Sequence, residues 1–142
     1  MILEIQILLI LIFTGIAVIT DLKTGHIPNW ITYTMIGIGG IINAIFFPNL
    51  IMLALAISII IYIFGICTSK KGMGGGDIKL YIGINMILPL YHNYLFILYV
   101  MLISNILGFI YMRVANKKTV RFAPYIFTSI ILLIIVFEFF LI

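Results

Sequence analysis

Charge is almost missing from six long tracts of this chain, and where it occurs it separates them. The apolar stretches fall at about residues 5–20, 30–47, 50–67, 78–90, 94–112 and 123–142, with only short breaks between them. A helix needs about 20 residues to cross about 30 Å of hydrocarbon, and most of these stretches approach that length. With 65% hydrophobic and 8% charged residues and a mean hydropathy of +1.35, a soluble globule would lack the polar surface to cover itself. The pattern predicts an all-α polytopic membrane protein of six transmembrane helices. The 142 residues leave no room for a soluble module, so residues 1–142 read as a single transmembrane domain.

The breaks are built from turn residues: Gly25, Pro28 and Asn29; Pro48 and Asn49; the run from Gly72 to Gly76; Pro89, His92 and Asn93; and Asn116 onward. Lys23 falls in the first break, Lys70, Lys71 and Lys79 at the third, and Arg113, Lys117, Lys118 and Arg121 in the fifth. All eight basic residues thus fall on one side, which the positive-inside rule makes the cytoplasm of an inner-membrane protein, with both termini outside. The net charge of +4 therefore marks orientation in a lipid bilayer, and nucleic acid is not an expected partner. The first stretch has no basic leader or small-residue cleavage pattern, which predicts a retained first span. The lone Cys67 excludes an internal disulfide and any multi-cysteine metal centre, and His26 and His92 fall on opposite faces with no ligand-spaced neighbours. No metal and no cofactor is expected.

The fourth stretch is short: from Ile78 to Tyr91 a helix rises only about 21 Å. It must begin within the glycine run or cross a thinned bilayer, and either way Asp77 stands at its cytoplasmic mouth. The chain has only four acids. Glu4 and Glu138 fall near the outer face, whereas Asp21 and Asp77 share the cytoplasmic one. A carboxylate at the edge of hydrocarbon is costly and usually has a partner or a task. Taken singly, Asp21 reads as a solvated helix end and Asp77 as an N-cap of the fourth helix. Taken together, they adjoin the two most irregular cytoplasmic breaks, a placement that suits a carboxylate dyad.

Two aspartates held close do not both ionise, so one keeps a proton while the other acts as base toward a shared water. That is the chemistry of metal-free peptide hydrolysis. Gly74, Gly75 and Gly76 allow the backbone to pass close to a substrate strand or the other aspartate; the plainer reading is a flexible linker. Lys79 follows Asp77 by two residues without the Ser/Thr and strand of a phosphate loop. It reads as a headgroup anchor, with substrate contact as the alternative. Trp30, Tyr91 and Tyr94 read as an interfacial aromatic belt, and Ser104, Asn105 and Gly108 as helix-packing residues. Ser69 has no evident histidine partner for a serine-protease arrangement.

The segments Asp21-Leu-Lys-Thr-Gly-His-Ile-Pro-Asn29 and Met73-Gly-Gly-Gly-Asp77-Ile-Lys-Leu80 resemble the two signatures of the type IV prepilin peptidases, the GxGD aspartic peptidases of bacterial and archaeal membranes. Arg121-Phe-Ala-Pro-Tyr125 is similar to the Phe-x-Pro segment that opens their last helix. The resemblance implies that Asp21 and Asp77 are the catalytic pair, and that Gly74, Gly75 and Gly76 shape the site with Lys79. It also implies that Gly25, Ile27, Pro28 and Asn29 position the loop carrying Asp21. The implied substrates are prepilin-like membrane proteins whose short basic leader is cut at the cytoplasmic face, just before a hydrophobic helix. The compact form resembles the peptidases of tight-adherence (Flp-type) pili, and archaeal preflagellin peptidases share both motifs. Longer members add a four-cysteine loop and N-methylate the new terminus; neither methyltransferase activity nor a need for zinc or S-adenosylmethionine is expected here. Two other readings use the same residues: a small cation channel or transporter with Asp21 and Asp77 in its path, and a non-catalytic assembly factor.

Overall fold

In hydrocarbon every backbone polar group must be satisfied within the segment, which drives apolar tracts of this length into helices. The computed structural model describes residues 2–69, 74–88, 90–116 and 120–140. It consists of six helices in chain order, α1 (Ile2–Thr24), α2 (Asn29–Phe46), α3 (Ile51–Ser69), α4 (Gly75–Ile87), α5 (Leu90–Val114) and α6 (Ala123–Phe140). Lys70, Lys71, Gly72, Met73, Pro89, Lys117 and Lys118, all singled out above, lie outside the described residues, as do the side chains of Ser69, Tyr91, His92, Tyr94 and Glu138.

Several helix ends fall at the predicted turn residues, whereas His92 and Asn93 lie within α5. α1 closes at Gly25, whose φ of +78° is left-handed and whose N–H donates to the Asp21 carbonyl at 2.9 Å, a common C-terminal helix stop. Pro28, extended at φ −62° and ψ 137°, precedes α2. α5 runs out at Asn116, which takes a φ of +51°.

Three of the helical segments are long and apolar enough to cross a membrane, Ile2–Thr24, Asn29–Phe46 and Phe96–Val114, while Ile51–Cys67 and Ala123–Val136 are shorter apolar helices. The outer surface carries rows of exposed Leu, Ile and Phe side chains, such as Leu8, Ile12, Ile60, Ile63 and Phe109. A lipid-facing surface requires such rows; a water-facing one does not tolerate them at this density. This is a membrane protein.

Helix α4 is the centre of the molecule. It packs most extensively on α2, then on α3, with further contacts to α1 and α5; α6 pairs with α5 and α1. Its backbone comes so close to α2 that a Cβ on Gly39 would overlap the Met86 carbonyl. Side-chain hydrogen bonds tie it down. Asn43 Nδ2 of α2 donates to the Met86 carbonyl at 2.7 Å, and Asn85 Nδ2 donates to Ala54 O and Ser58 Oγ of α3, each at 3.0 Å. Tyr81 meets Ser104 of α5 at 2.5 Å. Ser104 gives its one proton to the Val100 carbonyl at 2.6 Å, so Tyr81 is the donor and Ser104 the acceptor. Ser104 and Gly108 thus act in helix packing as expected, Gly108 lying where a Cβ would come 2.9 Å from the Phe122 ring.

Two expectations are corrected. Asp77 is not the N-cap of the fourth helix: that place belongs to Gly74, at φ −72° and ψ 147°, and Asp77 is the third helical residue. The glycines are not a linker throughout either, since Gly75 and Gly76 form the first turn of α4. At 13 residues, α4 rises about 20 Å. The helix does begin within the glycine run, but it ends at Ile87 and so still falls short of about 30 Å of hydrocarbon.

Candidate active site

Asp21 is delivered by the last turn of α1 and Asp77 by the first turn of α4, two helix ends that pack against each other. Both carboxyls are nearly removed from solvent, at 5% and 8% exposure. Asp77 Oδ2 accepts the Gly74 N–H at 3.2 Å. This is the half of a capping box that a glycine N-cap permits. Asp21 Oδ2 is buried with no hydrogen-bond donor among the described residues and is an acceptor open to a proton-bearing neighbour.

The facing ends of α1 and α4 put both carboxyls where little water reaches either, so charging both at once is costly. The Arg121 guanidinium lies at the same end of α1, its Nη1 donating to the Leu22 carbonyl at 2.6 Å.

The first-motif loop is shaped around α4. A Cβ on Gly76 would come within 3.2 Å of the Ile27 side chain, so the glycine lets the first turn of α4 lie flat on that loop. Ile27 is buried, next to Pro28 at the start of α2. Lys79 is not a free headgroup anchor. Its Nζ donates to Asn29 Oδ1 at 2.8 Å and lies 5.3 Å from the centre of the Tyr33 ring, joining the second motif to the first across 50 residues. Gly25, Ile27, Pro28, Asn29, Gly76, Asp77 and Lys79 are thus gathered at one end of the bundle with Asp21. Gly74 borders the site, whereas Gly75 has nothing within reach of a Cβ.

The type IV leader peptidase profile matches residues 8–113. The chain belongs to the type IV leader peptidase family. No curated protein and no solved structure matches it. The matched stretch contains both aspartates and both loops, and membership makes the protein a membrane-bound peptidase of the leader-peptidase type. Among the described residues, no group of three or more His, Cys, Asp or Glu is placed to hold a metal ion.

Two residues near the aspartates were not singled out from sequence for a place there. Arg121 was counted only for topology and as the head of a Phe-x-Pro segment; nothing local relates it to Asp21, 100 positions earlier. Tyr81 stands one helical turn after Asp77, and that i to i+4 spacing was the available signal.

Proposed function

We propose that the protein is an aspartic endopeptidase that removes the short basic leader from prepilin-like precursors, with Asp21 and Asp77 as its catalytic pair. The observation that carries this reading is the burial of both carboxyls at one end of the bundle, where the last turn of α1 meets the first turn of α4. In the proposed arrangement residues 1–142 form one transmembrane domain in the inner membrane. All six helices cross or dip into the bilayer, both termini are extracytoplasmic, and the dyad is at the cytoplasmic face beside Lys23, Lys79, Arg113 and Arg121. The lipid bilayer and a prepilin-like helix are the partners, and nucleic acid is not.

Asp21, ionised, takes a proton from water while Asp77, protonated, donates to the scissile carbonyl oxygen. The water oxygen bonds to the carbonyl carbon, giving a tetrahedral diol. Collapse breaks the C–N bond, with the amine nitrogen taking the proton held by Asp21 and the hydroxyl returning the other to Asp77. The loop of Gly25, Ile27, Pro28 and Asn29, locked to α4 through Gly76 and Lys79, holds the two carboxyls in register, and Gly74 and Gly75 leave room for an extended substrate backbone. The compact, tight-adherence-type enzyme is the member this chain most resembles, and hydrolysis is the only step assigned to it.

The test is cleavage of a co-expressed pilin-like precursor in membranes containing wild type, Asp21→Asn or Asp77→Asn at matched abundance. Asparagine keeps size and polarity but cannot exchange the proton, so either variant is expected to lose at least about 10²-fold in rate, the usual scale of acid-base catalysis. Processing at the wild-type rate by both variants would refute the assignment and turn attention to cation transport through the same pair.

A further inference from the structure

Helix ends alone would charge this dyad the other way round. Asp77 lies in the first turn of α4, where the helix dipole favours an anion, and Asp21 lies in the last turn of α1, where it opposes one. Burial of Asp77 opposes that preference, because a carboxylate removed from water is the costlier form, while the Gly74 N–H supports it. Asp21 needs a compensating positive charge if it is to serve as the base.

Arg121 stands where such a charge is needed. Its Nη1 donates to the Leu22 carbonyl at 2.6 Å, one of the last four carbonyls of α1 that lack a partner within the helix. Its Nη2 comes within 3.7 Å of the position a Cβ would take on Gly25. The guanidinium therefore straddles the end of α1, having crossed from the segment ahead of α6. The residue lies beyond the stretch 8–113 that defines the family match.

We propose that Arg121 is a positioning residue for the peptidase reaction: it caps the last turn of α1 and sets a fixed positive charge beside Asp21, making Asp21 the general base and Asp77 the acid. The proposal rests on the dyad reading above. Among the described residues, Lys23 on its own helix, His26 in the following loop and Asp77 at the facing end of α4 are the other titratable or charged groups near Asp21. Tyr33 of α2 lies under Lys79, and Tyr125 of α6 is tilted against Tyr111. Arg121 is the cation that a hydrogen bond fixes on the last turn of α1, through Leu22.

The experiment reads protonation without requiring turnover. The intact protein in detergent is treated with dicyclohexylcarbodiimide, which modifies protonated carboxyls, across a pH series, and the Asp21 peptide is quantified by mass spectrometry. At the pH where wild type is being deprotonated, Arg121→Gln is expected to label Asp21 more, by about threefold, the scale of an exposed charge pair. Arg121→Lys, which keeps the charge, restores wild-type labelling. The acidic limb of the cleavage profile moves to higher pH in the Gln variant alone. Identical Asp21 labelling in wild type and Arg121→Gln would overturn the proposal and leave Arg121 as a structural cap. If the Gln variant does not accumulate, wild type is labelled at about 0.05 M and about 1 M salt, where screening of an exposed guanidinium raises Asp21 labelling; a salt-independent profile would overturn the proposal. The dyad reading fails separately, through normal cleavage by Asp21→Asn and Asp77→Asn.

Discussion

Helices α3 and α4 are adjacent in sequence and pack together, yet they are opposites. α3 is the more apolar and presents Met52, Ile59, Ile60 and Ile63 outward, with Ala54, Ser58 and Ile61 turned in. α4 carries Asp77, Lys79, Tyr81 and Asn85, and is buried nearly throughout. In water the more polar helix would lie outside. In lipid the bilayer is as apolar as leucine, so nothing drives α3 inward. The interior goes to the helix with small residues for close approach and polar groups that need partners.

The contrast can be broken most severely at the α2–α4 contact. Gly39→Val would press a branched side chain onto the Met86 backbone, which cannot yield as a flexible side chain can. A loss of about 3 kcal/mol or more is expected, seen as lost accumulation or a sharply lowered Tm; normal thermal stability would show that α4 is not wedged as described.

Asn85→Ala removes two hydrogen bonds to α3 and is expected to cost about 1 kcal/mol, the usual scale for polar ties between membrane helices. Reversible unfolding in detergent measures it, and a null effect would mean that packing alone holds α3 to α4. Smallest of all is Ile60→Ala on α3, at a side chain 64% exposed. It should stay within about 0.5 kcal/mol, whereas a large loss would reveal a partner on that face.

Much of the fold was legible because the apolar tracts are long and their breaks chemically plain. All six helices fall where the stretches predict, with ends shifted by a few residues. At α4 both ends move toward the N-terminus, and Gly75 and Gly76 are helical because α4 is held by its neighbours and not by glycine's weak propensity. The same effect moved Asp77 from cap to third position. The linkage of Lys79 to Asn29 was not legible, since Lys79 and Asn29 are 50 residues apart and either could equally have met water or lipid.

By itself, the sequence determined that the chain is helical and belongs in a membrane, and it singled out Asp21 and Asp77 with their loops, because these properties follow from local apolarity, turn chemistry and motif. Tertiary structure alone decided that α4 is the buried helix, that the ends of α1 and α4 meet so that the Asp21 charge bears on Asp77, and that Arg121 reaches back to the end of α1. Each of these depends on which helix faces which across a hundred residues of chain, and hydrophobicity carries no such information where the solvent itself is hydrocarbon.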